Sequence, residues 1–302
     1  MSISKYEVFS SVVELGSLTK AAEMLNLTQS GVSHAISSLE SEFGFTLLTR
    51  DRSGISLTSN GERVLEHIRE ILQWNERLRQ EVASINGLEV GMLRIGTFTS
   101  VSAQWLPGIL KQFHKDHPTI EIKLLEGDYD EIEGWIGNFS VDFGFVPLPT
   151  AKSFEVVPLK KDRILCILPS AHPLSQKNTI CFEQLKEEPF IMAKWGGDED
   201  IRKTLHENHV TPKIKYEVAE NEAILAMVEN GLGISILPEM VISRGDQNIK
   251  AVALERAHYR TIGIAVQSRK NLSPAAGKFI NCARSWLSDQ KLLDFDTQGW
   301  WF

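Results

Sequence analysis

Residues 16–62 read GSLTKAAEMLNLTQSGVSHAISSLESEFGFTLLTRDRSGISLTSNGE. Ser17 or Thr19 is placed to cap a short helix containing Ala21, Ala22 and Leu25, and Asn26 breaks it. Thr28 then caps a helix from about Gln29 to Phe43, on which Val32, Ile36, Leu39 and Phe43 fall at i, i+4, i+7 and i+11. The opposite face presents Gln29, Ser30, Ser33, His34, Ser37 and Ser38, short hydrogen-bonding side chains with little charge. A small residue at Ala22, a turn residue at Asn26 that tolerates a left-handed backbone, and an apolar plug at Val32 have the spacing of a helix-turn-helix. Its polar face would then read base edges in a major groove. A purely structural three-helix bundle shares this pattern. The next residues separate the two readings: Leu47 to Thr58 form two short strands about an Arg-Ser-Gly turn, a wing that carries Arg50 and Arg52 beside the helix-turn-helix. Arginine at a wing tip suits a minor groove or its flanking phosphates.

Upstream, Tyr6, Phe9, Val12 and Val13 recur at helical spacing up to Gly16. Downstream, Ser59-Asn60-Gly61-Glu62 has the spacing of a capping box that opens another helix. Along it Val64, Ile68, Ile71, Asn75, Leu78, Val82 and Ile85 alternate steps of four and three, a heptad seam broken only by Asn75. Such a stripe either lies on its own domain or pairs two chains. Pairing is expected, because a long helix between domains has little else against which to bury it.

These segments resemble the DNA-binding domain of the LysR-type transcriptional regulators through helix-turn-helix, wing and linker helix. The resemblance implies contact with double-stranded DNA through Thr28, Gln29, Ser30, Ser33, His34, Ser37, Arg50 and Arg52. It implies homodimers that join through their effector domains into homotetramers, and contact with RNA polymerase where the output is activation. Two departures thin the phosphate contact: His34 stands where the family usually has Arg, and Ser37 and Ser38 stand where the next turn often carries Lys or Arg.

Beyond Gly87–Gly91 the rhythm changes. Leu93, Ile95 and Thr97 alternate as a strand, and strands near 120–125 and 141–146 alternate with helices near 103–116 and 130–138. A second alternation runs from Phe190 to Leu237, with strand-rich stretches at 154–168 and 262–267 and a closing helix from Pro274. The pattern predicts two α/β lobes, and it resembles the periplasmic-binding-protein-like effector domain of the same family, with GNFSVDFGFV and MVENGLGISILP at that family's motif positions. The expected organisation is a winged helix-turn-helix at 1–58, a linker and dimerisation helix at 59–87, and an effector-binding domain at 91–302. Lobe 1 would take 91–163 and 267–302, and lobe 2 would take 164–266. Ligands of open α/β sheets bind beyond the carboxyl ends of the strands, which here is the cleft between lobes. Thr97, Thr99, Ser100 and Ser102 concentrate hydroxyls at a helix start, Asp128 and Pro147 follow strand ends, and Lys194 and Trp195 follow the lobe 2 strand. Together they predict a small, polar, anionic effector, Lys194 pairing with its charge and Trp195 covering its body. Helix capping alone is the other reading of the Ser and Thr residues, and Asp128 fits a hydroxyl or amine better than an anion.

At 302 residues the chain has room for about two domains, and 42% hydrophobic with 24% charged residues excludes a disordered protein. Net charge is −7, with 8 basic against 12 acidic residues over 1–90, so a DNA contact must be a local basic face. Three scattered cysteines make no disulfide framework and fit a reducing compartment. MSISKYEVF lacks a basic region before an apolar stretch, and no 18 apolar residues run together, so a cytoplasmic chain without membrane association is expected. No nucleophile elbow or phosphate-binding loop is present, so no catalysis and no cofactor are expected. His206 and His209 are three apart without a third ligand and predict no metal site, Asp128–Glu133 and Asp198–Asp200 read as solvated helix starts, and Cys166 in its apolar run reads as a buried structural thiol. The leading function is an effector-responsive transcriptional regulator; the alternative is a small-molecule-binding protein whose N-terminal module serves only assembly.

Overall fold

The computed structural model describes residues 2–51, 54–194, 198–242 and 248–295 of the 302. The N-terminal unit comprises α1 (Ile3–Leu15), α2 (Leu18–Met24), α3 (Gln29–Phe43), the wing strands β1 (Leu48–Asp51) and β2 (Gly54–Leu57), and the long helix α4 (Ser59–Ile85). Gly16 ends α1 in the left-handed region, Ser17 accepts the Lys20 N–H at the start of α2, and Thr28 accepts the Gly31 N–H at the start of α3. Asn26 is left-handed at φ 53°, and Ala22, Val32, Ile36 and Leu39 are buried as their spacing required. Glu40 latches the wing by accepting the Leu47 and Leu48 N–H groups at 2.7 and 3.2 Å. Residue 61 must be glycine, since a Cβ there would come within 2.2 Å of the Leu47 carbonyl oxygen. The expected Ser59 cap sits one residue too far along. Thr58 is the N-cap, accepting the Gly61 N–H at 2.9 Å while its hydroxyl donates to the Thr46 carbonyl at 2.8 Å.

The C-terminal unit continues with β3 (Gly91–Thr97), α5 (Thr99–Gln104), α6 (Leu106–Asp116), β4 (Ile120–Glu126), α7 (Tyr129–Gly137), β5 (Phe143–Leu148), β6 (Glu155–Pro169), β7 (Thr179–Ile180), α8 (Phe182–Glu187), β8 (Pro189–Ala193), α9 (Asp198–Glu207), β9 (Lys213–Val218), α10 (Asn221–Glu229), β10 (Ser235–Pro238), β11 (Ile249–Val266) and α11 (Pro274–Asp289). Strands lie in the order β10-β6-β11-β5-β3-β4, β7 joins β11, and the parallel pair β8-β9 touches the sheet through a Phe190–Ile234 bridge. Two cores divide this unit. Leu93, Phe143, Val157, Leu159 and Phe279 lie in the core of lobe 1, and Ile164, Cys166, Phe190, Ile224 and Ile236 in that of lobe 2. β6 and β11 run antiparallel through both, with a register irregularity between Ala253 and His258. The second crossover therefore lies inside β11 and not at residue 267: Val252 and Leu254 belong to the lobe 2 core, whereas Ile262–Val266 belong to that of lobe 1. One strand of alternating apolar residues looks the same whichever core it feeds, so its switch of lobe was invisible.

α4 joins the two units by different faces. Leu65 and Ile68 are buried in the core of the winged unit, with Val64 and Leu72 packed against it. This corrects the expected seam, whose first two positions stabilise their own domain. Further along, Gln73 Nε2 donates to Asp142 Oδ1 at 3.2 Å, and the Arg94 N–H donates to Asp142 Oδ2 at 2.7 Å. Burial raises the Asp142 pKa, and the Arg94 backbone bond and charge pull against that rise. Gln80 donates to the Met92 carbonyl and accepts the Ala275 N–H, while Glu76 accepts the Met92 N–H. A third face of α4 is left apolar and exposed: Ile71 (42%), Trp74, Leu78 (62%), Val82 and Ile85 (77%).

Candidate DNA interface and interlobe cleft

Thr28, Gln29, Ser30, His34 and Ser37 are exposed along one face of α3, and Ser33 is half-buried between them. The apolar spacing of α3 places this face outward, because Val32, Ile36 and Leu39 hold the opposite side in the core. β1 pairs antiparallel with β2, Arg50 opposite Ile55, and Glu40 of α3 holds the entry to this wing through the Leu47 and Leu48 N–H groups. Arg52 lies outside the described residues, as does the side chain of Arg50. Basic side chains are scarcer than the sequence suggested. Lys5 pairs with Glu42, whose carboxyl it holds below the ordinary pKa, and donates to Ser38 Oγ at 2.8 Å. Lys20 is exposed.

The interlobe cleft is a cavity of about 390 Å³ whose walls include Phe98, Thr99, Ser100, Glu126, Asp128 and Tyr129 from lobe 1. Glu220, Asn221, Leu237 and Pro238 face them from lobe 2, and Arg260 on β11 lies at the base. Of the sequence candidates, Thr99, Ser100 and Asp128 meet here. Thr97 is wholly buried and accepts a bond from Ser102 Oγ at 3.3 Å, so these two brace the turn instead of lining the cleft. Pro147 is paired within the sheet, opposite Ile262. The Lys194 N–H donates to the Val218 carbonyl at the end of β8, and its side chain is exposed and not among the lining groups. Trp195 lies outside the described residues.

Arg260, which sequence reasoning missed, organises the base of the cleft. It is 3% exposed, and Asp162 on β6 is 1% exposed. Its Nε and Nη2 donate to Asp162 Oδ2 at 2.9 and 2.7 Å, Nη1 donates to the Tyr129 hydroxyl at 2.7 Å, and Nη2 also donates to Ser100 Oγ at 2.7 Å. The guanidinium carbon stands 5.2 Å from the Phe98 ring centroid, and Tyr129 packs edge-on against that ring at 5.1 Å. Burial works against the Arg260 charge, but Tyr129, Asp162 and Asp200 more than offset it and raise its pKa. Asp162 Oδ1 also accepts the Met240 N–H at 3.1 Å. The only useful signal in the sequence was an arginine beside the apolar run Ile262–Val266; its partner lies 98 residues away.

The lining is therefore acidic. Among the described residues Arg260 is paired with Asp162, and Glu126, Asp128 and Glu220 line the cleft beside Thr99 and Ser100. Asp128 caps α7 in a capping box with Glu131, as the helix-start reading required, but Glu133 of the same run is buried and accepts the Ala151 and Lys152 N–H groups. Asp200 departs from the solvated reading: burial raises its pKa, partly offset by Arg260, and its Oδ2 has no hydrogen-bond partner among the described residues. Burial pushes the Cys166 thiol up to about 12. Among the described residues no group of three His, Cys, Asp or Glu is arranged to hold a metal ion, and no helix is long and apolar enough to cross a membrane.

A winged helix-turn-helix carried on a helix that docks against a two-lobed binding unit defines a ligand-responsive DNA-binding regulator. Residues 3–62 match the model of the bacterial regulatory helix-turn-helix protein, lysR family, and residues 86–288 match that of the LysR substrate binding domain. The HTH-type transcriptional regulator YvbU of Bacillus subtilis is 35% identical over 287 residues, covering 94% of this chain and 98% of that one. The chain belongs to the LysR family of transcriptional regulators, and its C-terminal unit is that family's effector-binding domain. Solved structures share the fold at lower identity. A full-length OxyR variant from Pseudomonas aeruginosa superposes with a TM-score of 0.76 at 20% identity, covering 97% of this chain and 96% of that one. Full-length CbnR complexed with its target DNA gives 0.66 at 22%, covering 95% and 100%.

Proposed function

We propose that this regulator reads its operator through the outward face of α3, binds it as a dimer paired along the exposed stripe of α4, and answers to a small polar ligand in the interlobe cleft. Two dimers joining through their effector domains into a tetramer, a cytoplasmic setting, and contact with RNA polymerase where the output is activation complete this reading. The observation that carries the DNA part is the α3 face itself, whose hydrogen-bonding side chains stand outward on a fully packed helix. A module kept only for assembly has no use for it. With Lys5 engaged by Glu42, residues 1–60 offer Lys20, Arg50 and Arg52 as phosphate partners, three per protomer and six per dimer. The magnitude of the slope of log K against log salt from this region is then below about 5. Replacing Ser33 and His34 together is expected to change the sequences selected from fragments of the source genome. Unchanged selection would remove α3 as the reader.

For the ligand, the acidic lining favours hydroxyl or amine donors directed at Glu126, Asp128 and Glu220 over the carboxylate expected from sequence. Thermal shift of the full chain against polyols, amines and carboxylates is expected to select from the first two. Asp128→Asn with Glu220→Gln is expected to weaken the hit at least tenfold. Carboxylates as the sole hits, or equal binding by the double variant, would refute this assignment.

A further inference from the structure

Where the winged unit meets lobe 1, a second cavity of about 220 Å³ lies between α1, α4 and the outer face of β3 and β4. Three cations converge on it: Arg69 from α4, Arg94 from β3 and Lys123 from β4. Arg94 and Lys123 are direct partners in the parallel β3–β4 register, so their side chains leave the same face of the sheet side by side. Like charges at such a pair destabilise a sheet. None of the three makes a side-chain hydrogen bond or ion pair among the described residues. Each is half-buried, so solvent screens the repulsion incompletely. Burial lowers the Arg69 pKa; Glu14 opposes that change, and Arg94 adds to it. Among the described residues of the lining Glu14 is the only carboxylate, set against three cations in a chain whose net charge is −7. Trp135 and Phe139 form an aromatic wall beside the cations, and Ser10 and Gln73 add polar groups.

We infer that this junction is a binding site for a small organic dianion, its charged group held by Arg69, Arg94 and Lys123 and its apolar or planar body against Trp135 and Phe139. Arginine pairs supply the planar donor fork that phosphoryl and carboxylate groups accept, and desolvation strengthens the pairing. The site is separate from the interlobe cleft, whose lining is acidic. Because its cations come from both units, a bound dianion selects the arrangement in which α1 and α4 rest on lobe 1.

The experiment is a calorimetric titration of the full chain with phenyl phosphate and with inorganic phosphate, ionic strength being held constant with sodium chloride. Saturable binding of both is expected, with phenyl phosphate tighter because it also covers the aromatic wall. Arg94→Gln with Lys123→Gln is expected to weaken phenyl phosphate at least tenfold. The ligand-free Tm of that variant is expected not to fall, since it relieves a repulsion. A response no larger than that to added chloride, equal binding by the double variant, or loss of binding on Ser100→Ala instead, which would place the ligand in the cleft, each overturns the assignment.

Discussion

Replacing Ile71 and Leu78 with glutamate in one chain is expected to give a folded protein that sediments as a monomer and no longer holds a two-half-site operator tightly. Both side chains stand on the face of α4 left bare by the winged unit and by lobe 1, at 42% and 62% exposure, so neither supports the fold of its own chain. Paired across a dimer, each would bury apolar surface worth about 1.5–3 kcal/mol, and a symmetric interface loses four such side chains at once. Operator affinity falls further, by about 10²–10⁴, because the second half-site is then no longer bound intramolecularly. Val64 and Ile68 are unsuitable for this test, since Ile68 is 2% exposed inside the winged unit and its loss would unfold that unit. An unchanged sedimentation profile would show that chains pair elsewhere.

Arg260→Ala is expected to destabilise the effector domain by about 3–5 kcal/mol, because Asp162 stays buried and charged with its partner gone. Four hydrogen bonds go with the guanidinium, and the Ser100 and Tyr129 hydroxyls are left facing the gap. Combining Arg260→Ala with Asp162→Asn removes the stranded charge and is expected to recover much of the loss. Urea unfolding of the two variants separates these contributions. Equal destabilisation would show that the packing of the arginine stem matters and its charge does not.

What could be read from sequence divides by the range of the interactions. The helix-turn-helix was legible because Ala22, Asn26 and Val32 act within a dozen residues of one another, and helix and turn chemistry is local. The α4 stripe was legible as a stripe. Its division between two partners was not, because heptad spacing records that a face is buried and not by what. In the cleft, following strand ends found Thr99, Ser100 and Asp128, but the same rule also chose Pro147, which is paired within the sheet, and Lys194, which is not among the lining residues. Arg260 and Asp162 become neighbours only when β6 and β11 cross between lobes, and Arg94 meets Lys123 only through the register of β3 on β4. Such pairings are properties of the sheet.

The docking of α4 has a mechanical meaning. Gln73, Glu76 and Gln80 bind it to lobe 1, whereas Leu65 and Ile68 fuse its other end to the winged unit. From Gln73 back to Ser59 is 14 residues, an arm of about 20 Å at 1.5 Å per residue. A tilt of about 5° at the docked end thus carries the start of the helix, and the wing with it, through about 2 Å. That displacement exceeds the tolerance of a hydrogen bond to a base edge. Rotating lobe 1 about that docked end would therefore shift the seat of the wing on an operator, with no bend of the helix required in between.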